Sequence, residues 1–238
     1  EFSTTRYAGP FTLENGYLPE EVIKGKVLKH DTQTRTMHWL HLLAFIILGL
    51  TGIGFYWDIA GIANIFGGPA NASLVHRWAG VVFTVGPILY ILLNFDRFSR
   101  FVDTITSFSR DDFAWLKTMG GYVPFIKIEE VPPQEKYNAG QKILGILIII
   151  GCLLIIITGF PMWLWRDVVS SAFLAICYNV HFWTAIIMIL LVLGHFFLAA
   201  IHPKSRVEFA SMMLDGYIDA EITAEHNAKW FAELQKTE

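Results

Sequence analysis

The feature that most constrains this chain is the apolar run from Tyr178 to His202, which carries histidines but no Lys, Arg, Asp or Glu. A run of this length can cross a bilayer as one helix. On such a helix His181 and His195 lie about 21 Å apart along the axis and within about 40° of one face. A histidine inside a membrane helix is costly without a partner, so the two indicate a functional stripe with one imidazole near each membrane surface.

Three further runs without charged residues predict three more membrane helices, at about 36–57, 78–94 and 143–165. The second has His76 at its outer end and a kink at Gly86-Pro87. With 54% hydrophobic and 16% charged residues, the chain is predicted to be an all-α integral membrane protein built on a four-helix bundle. The predicted divisions are a soluble N-terminal arm at 1–35, a membrane domain at 36–202 that includes a polar loop at 95–142, and a helical tail at 203–238. The polar opening residues predict no cleavable signal peptide.

The distribution of cations predicts the orientation of the four spans. Both termini and the middle loop fall on one side, together with every Lys and Arg except Arg77 and Arg166. The positive-inside rule places that side in the cytoplasm of a bacterial inner membrane.

This topology puts the histidines of different spans at matching depths. His38 and His195 fall near the inner surface, and His76 and His181 fall near the outer one. Paired neutral imidazoles suit the two axial positions of haem iron, whereas zinc needs four ligands and no carboxylate or thiolate lies at either depth. Haems with both axial positions filled transfer electrons, so the sequence predicts a dihaem cytochrome b.

Other residues have alternative interpretations. Arg77 and Arg35 could each neutralise a haem propionate. His41, one turn from His38, competes for the inner site or could hydrogen-bond a propionate or a quinone, and His202 is typical of a surface position at a helix end. Cys152 and Cys177 show no Cys-x-x-Cys or Cys-x-x-Cys-His spacing, which argues against c-type haem and iron-sulfur ligation in this chain.

Several motifs resemble the gamma, cytochrome b subunit of membrane-bound respiratory formate dehydrogenase. They are Arg35-Thr36-Met37-His38-Trp39, Leu74-Val75-His76-Arg77, the pair His181 and His195, and Lys136-Tyr137-Asn138-Ala139-Gly140-Gln141-Lys142. The last is the most specific, because no packing rule demands it.

The resemblance implies a four-helix bundle with two haem b groups and a menaquinone site beside the inner haem. It implies that His76 and His181 hold the outer haem, that His38 and His195 hold the inner one, and that Asn138 and the backbone of Gly140 line the quinone site. A turn and helix N-cap is the structural alternative for Asn138 and Gly140. The implied partners are an iron-sulfur subunit and a molybdenum or tungsten catalytic subunit, so the chain reduces quinone and has no formate-oxidising site of its own.

Two other functions remain open at this point. The first is the cytochrome b subunit of a nickel-iron hydrogenase or of another molybdopterin oxidoreductase. The second is a haem-free membrane anchor or a proton-coupled transporter, which is less favoured because no predicted span contains Asp or Glu and no internal repeat is visible. Nothing in the sequence predicts a nucleic-acid partner.

Overall fold

The computed structural model describes residues 22–23, 25–123, 126, 131–203 and 205–235. Most of the predicted N-terminal arm, residues 1–21 and 24, therefore lies outside the described residues. Within the described residues the chain is mostly helical. The helices are α1 (Thr32–Tyr56), α2 (Ala60–Ile65), α3 (Pro69–Leu93), α4 (Phe95–Thr106), α5 (Arg110–Thr118), α6 (Ala139–Leu164), α7 (Ser171–Phe196), α8 (Phe209–Met213), α9 (Ala220–His226) and α10 (Ala228–Leu234).

Four of the described helices, α1, α3, α6 and α7, are long and apolar enough to cross a membrane. This confirms the predicted fold class. A π-helical turn at Phe197–Ile201 continues α7 to 31 residues. Their exposed surfaces are rich in Leu, Ile and Phe, as expected of helices that face lipid.

The second span begins earlier than the sequence predicts. Pro69 occupies the first helical position after Gly68, where its missing N–H and restricted φ are tolerated. α3 therefore includes His76 and Arg77 two turns from its start rather than beginning after them. A single arginine near the end of a span is accommodated because its long side chain can extend to the interface.

The chain divides into two compact units. The bundle unit comprises Thr36–Phe98 and Leu147–Gly194, and it holds most of the four long helices. Gly151 on α6 faces Met188 on α7, and a Cβ at Gly151 would overlap the Met188 side chain. The glycine therefore permits the close helix approach that is common in membrane bundles.

The tail unit comprises Glu1–Arg35, Ser99–Ile146 and His195–Glu238. It contains a small antiparallel sheet that the sequence did not predict, with β2 (Lys26–Leu28) between β1 (Val22–Ile23) and β3 (Tyr217–Asp219). The predicted helical tail accordingly consists of short helices and one strand. Its hydrophobic core brings residues from β2, β3 and the last two helices together: Val27, Ile218, Ala220, Trp230 and Phe231.

Candidate functional site

A cavity of about 470 Å³ lies within the bundle unit, between α1, α3, α6 and α7. Its volume falls within the range of about 300–1,000 Å³ that is typical of cofactor and ligand sites. The lining is mainly aliphatic and aromatic, and two imidazoles, His76 and His181, contribute to it. The structure thus brings together the two histidines that the sequence placed at the outer level.

His76 is held by a threonine from the neighbouring helix. Thr51 Oγ1 lies 2.7 Å from His76 Nδ1. The same hydroxyl lies 2.7 Å from the Ile47 carbonyl of its own helix, which can only accept a hydrogen bond. The hydroxyl has one proton, and with that proton in the hydrogen bond to Ile47 the Nδ1–H of His76 donates to Thr51. This tautomer leaves the lone pair on His76 Nε2.

The same arrangement occurs at His181. Thr158 Oγ1 lies 3.1 Å from His181 Nδ1 and donates to the Leu154 carbonyl at 2.6 Å. His181 Nδ1 also lies 3.2 Å from the Ile155 carbonyl, which requires the ring nitrogen to be the donor. His181 Nε2 therefore carries a lone pair as well, the form in which imidazole ligates a metal.

Glycines leave room for both rings. A Cβ at Gly52 would lie 3.7 Å from His76 Cε1, and a Cβ at Gly159 would lie 3.1 Å from His181 Cε1. A side chain at Gly159 would therefore press on the His181 ring.

Arg77 also lines the cavity, and its guanidinium lies 6.0 Å from the ring centre of Trp163. It supplies a positive charge at a wall that is otherwise largely apolar. Within the described residues no group of three or more His, Cys, Asp or Glu side chains could hold a bare metal ion. Two imidazoles and an arginine around an apolar cavity instead fit haem, which brings four equatorial nitrogens and anionic propionates of its own.

His38 and His195, the histidines predicted for the inner level, fall in different units of the chain. His38 is half-buried near the start of α1, and His195 is exposed in the last turn of α7. His41, the predicted competitor of His38, stacks on Phe83 with ring centres 4.0 Å apart, and its Nε2 lies 3.5 Å from Cys152 Sγ.

His202 has a local structural role in the tail unit. Its Nε2 lies 3.1 Å from the Tyr122 carbonyl, and its Nδ1 lies 3.3 Å from Ser205 Oγ. These contacts link the residue that follows the π-helical turn to the loop after α5.

Asn138 and Gly140 lie at the start of α6, where Asn138 forms a capping box with Gln141. Gln141 N–H donates to Asn138 Oδ1 at 3.0 Å, and Asn138 N–H donates to Gln141 Oε1 at 3.0 Å. Ala139 N–H donates to Gln134. The N–H of Gly140 belongs to the first turn of α6, where backbone N–H groups have no acceptor within the helix itself. A Cβ at Gly140 would lie 3.1 Å from Trp115, so the glycine also allows that ring to approach the helix.

Two buried lysines surround this helix start, and neither has a role assigned in the sequence analysis. Lys142 has a fully buried side chain and forms ion pairs with Asp112 at 3.0 Å and Glu135 at 2.8 Å. Lys29, also fully buried, pairs with Glu208 at 2.8 Å. Gln141 Nε2 donates to the same Glu208 carboxylate at 3.1 Å, which connects the capping box to this pair. An uncharged run can be recognised in a sequence, whereas these partners are distant along the chain.

The pairing determines the charge state of the two carboxylates. Burial raises the pKa of Asp112, but hydrogen bonds from Ser109 and Lys142 outweigh it and hold the pKa below its usual value. Burial likewise raises the pKa of Glu208, but the charge of Lys29 and hydrogen bonds from Lys29 and Gln141 outweigh this effect and hold the pKa below its usual value. Both carboxylates are therefore ionised at neutral pH.

Tyr122, in the loop after α5, shows the opposite shift. Burial and the negative charge of Glu208 raise the pKa of Tyr122 to about 12, so its hydroxyl stays protonated at neutral pH.

Comparison with known proteins identifies the family. Three relatives cover most of the chain. The formate dehydrogenase cytochrome b556(fdo) subunit of Escherichia coli K12 is 24% identical over 216 residues, which is 89% of this chain and 94% of the relative. The Haemophilus influenzae formate dehydrogenase cytochrome b556 subunit is 25% identical, covering 87% and 83%. The nitrate-inducible formate dehydrogenase cytochrome b556(Fdn) subunit of Escherichia coli K12 is 26% identical, covering 86% and 89%.

These matches confirm the resemblance to formate dehydrogenase cytochrome b subunits. In addition, the family model described as prokaryotic cytochrome b561 matches residues 29–216, which include all four long helices. The chain belongs to the prokaryotic cytochrome b561 family.

Proposed function

We propose that this chain is the cytochrome b subunit of a formate dehydrogenase-like respiratory complex and carries electrons through the membrane to menaquinone. The observation that carries the proposal is the pair His76 and His181, which line one apolar cavity with their Nε2 lone pairs available. The names of the relatives support the assignment to formate dehydrogenase.

His76 and His181 would hold haem b in this cavity. When bound, the haem supplies an iron that alternates between ferric and ferrous states and so accepts and releases one electron. If both residues held the haem, no open site for oxygen or substrate would remain at the iron. The aliphatic and aromatic walls exclude water, and the Arg77 guanidinium would pair with a propionate.

A second haem b is proposed at the inner level, between His38 and His195. The proposal rests on the topology predicted from the cations, which places both residues near the cytoplasmic surface.

Menaquinone is proposed to bind near Asn138 and Gly140. A quinone headgroup needs hydrogen-bond donors for its carbonyl oxygens. The N–H of Gly140, in the first turn of α6, is such a donor at a helix N-terminus. Asn138 is occupied through its Oδ1 in the capping box, and the box holds this first turn in place.

The remaining features of the complex follow from the same assignment. An iron-sulfur subunit, supplied by a molybdenum or tungsten catalytic subunit, delivers electrons on the outer side. Both termini and the loop at 95–142 face the cytoplasm of a bacterial inner membrane. The arm at 1–35 and the tail at 203–238 then flank a membrane domain at 36–202, and quinone reduction takes its protons from the cytoplasm.

Haem content of the purified complex tests the proposal. We expect b-type bands in a reduced-minus-oxidised spectrum and two haems per chain. His76→Ala and His181→Ala should each lower the content to one, whereas His202→Ala, which alters a histidine outside the cavity, should retain both. Absence of b-type bands, or two haems in His76→Ala, would contradict the proposal. The subunits that co-purify discriminate formate dehydrogenase from a nickel-iron hydrogenase or another molybdopterin partner.

A further inference from the structure

The two cavity histidines are supported by the same local arrangement, which occurs twice in the chain. Thr51-Gly52 on α1 faces His76 on the following long helix, and Thr158-Gly159 on α6 faces His181 on α7. We propose that Thr51 and Thr158 are positioning residues that fix the tautomer and orientation of the haem-ligating imidazoles. This inference rests on the proposed function, because it assigns the histidines a haem to ligate.

The hydrogen bonds of the Thr51 hydroxyl indicate which tautomer of His76 it supports. Thr51 is fully buried, and its hydroxyl proton is directed at the Ile47 carbonyl 2.7 Å away, with the Leu48 carbonyl at 3.2 Å. Only the oxygen lone pairs remain for the His76 ring. With its proton directed at Ile47, the hydroxyl acts as an acceptor, which favours the tautomer with the proton on Nδ1 and the lone pair on Nε2.

The second step is that each threonine also fixes the ring orientation. An imidazole on a long helix can rotate about its side-chain torsions, and a hydrogen bond to Nδ1 removes that freedom. Gly52 and Gly159 directly follow the two threonines and leave space for the rings. Each threonine thus holds the ring by a hydrogen bond, and the glycine that follows it leaves space for the ring.

The two histidines differ in one respect that makes the inference testable. The Nδ1 atom of His181 has the Ile155 carbonyl at 3.2 Å as well as Thr158, whereas the contact found for His76 Nδ1 in the described part of the chain is Thr51 alone. Removing the Thr158 hydroxyl therefore leaves His181 with an acceptor. Removing the Thr51 hydroxyl leaves His76 without one.

Loss of the threonine hydroxyl should change the redox potential of the haem as well as the orientation of its ligand. An acceptor at Nδ1–H makes the imidazole a more basic ligand, which favours ferric over ferrous iron. Loss of the acceptor should therefore shift the midpoint potential of that haem to a more positive value. Mutation of such partners typically costs 10–100-fold in metal affinity or activity, and a tenfold change in the reduced-to-oxidised ratio of a one-electron couple corresponds to about 59 mV.

The experiment is redox titration of the intact complex, with haem content and the EPR g-values of the oxidised haems as further readouts. In Thr51→Val we expect a positive shift of one haem, equivalent to about tenfold in its reduced-to-oxidised ratio, and an unchanged second haem. Thr158→Val should give a smaller shift of the same haem, because Ile155 remains. Thr51→Ser and Thr158→Ser, which keep the hydroxyl, should restore the wild-type potential.

Thr84→Val is the matched control. Thr84 lines the same cavity, but its hydroxyl donates to the Gly80 carbonyl on its own helix. Wild-type potentials and g-values in Thr51→Val, or an equal shift in Thr84→Val, would overturn the inference. If Thr51→Val does not assemble, Thr158→Val and Thr158→Ser decide, and a shift that serine fails to restore overturns it. His76→Ala with two haems would instead refute the proposed function.

Discussion

Substitution of Lys142 by methionine should release helix α5 from the tail unit. The Lys142 side chain is fully buried and its Nζ lies 3.0 Å from Asp112, whose side chain is only 2% exposed. Methionine has a similar length but no charge. Asp112, in the first turn of α5, would then be a buried carboxylate without its cation.

The expected loss of stability in Lys142→Met follows from the burial of this ion pair. Removing one partner of a buried ion pair typically costs about 3–5 kcal/mol, mainly because the other charge is left unpaired. The second carboxylate, Glu135, is 32% exposed, so solvent screens much of the attraction between Glu135 and Lys142. Because each 1.4 kcal/mol is a factor of ten, we expect amide exchange in α5 to accelerate on the order of 10²–10³-fold.

Hydrogen exchange of the detergent-solubilised protein, read by mass spectrometry over peptides that cover 110–118, measures this effect. The matched control is Lys229→Met, because Lys229 pairs with Asp111 on the same helix at 2.7 Å but the two side chains are 31% and 42% exposed. An exposed pair contributes about 0–1 kcal/mol, which corresponds to less than about tenfold. A double variant, Lys142→Met with Asp112→Asn, should recover part of the protection because no charge remains unpaired.

Equal acceleration in Lys142→Met and Lys229→Met would refute the reasoning that burial sets the cost. So would a double variant that exchanges as fast as Lys142→Met alone.

Two further predictions concern the same unit. The pKa values of Asp112 and Glu208 are lower in the folded protein than their usual values, which are about 4. The stabilisation from these ionised carboxylates is therefore complete above about pH 4 and is lost as the pH falls through the folded pKa values. Hydrogen-exchange protection, corrected for intrinsic rates, should be constant from pH 7 to about 5 and should fall below about pH 4. Gly216→Ala should destabilise the sheet by more than about 1 kcal/mol, because Gly216 has φ +95° and a Cβ would overlap the His30 carbonyl, and faster exchange in β3 would be the measure.

The four spans and the two cavity histidines could be predicted from the sequence for a simple reason. Whether a segment crosses a bilayer depends on its own length and apolar content, which are local properties. A histidine in such a segment is conspicuous because few polar side chains occur there. The predicted start of the second span, at about residue 78, is later than the start of α3 at Pro69, because the prediction follows the uncharged run and Arg77 lies inside the helix.

The supporting residues were missed because their role depends on neighbours in space. Thr51 and Thr158 are ordinary residues in apolar helices until His76 and His181 are packed against them. The signal that could have revealed them is the repeated Thr-Gly dipeptide, each followed by a histidine on the next long helix. No internal repeat was recognised, because the similarity is confined to these few positions.

By itself, the sequence determined that this protein is a four-span membrane protein with imidazoles inside its helices, because hydrophobic length and the scarcity of polar residues act within each segment. Only the tertiary structure decided which atoms of those imidazoles remain available. It also decided that Lys29 meets Asn227, 198 residues away, and that Lys142 meets Asp112. Such contacts require both partners to be desolvated at the same point, and that condition depends on the folded chain as a whole.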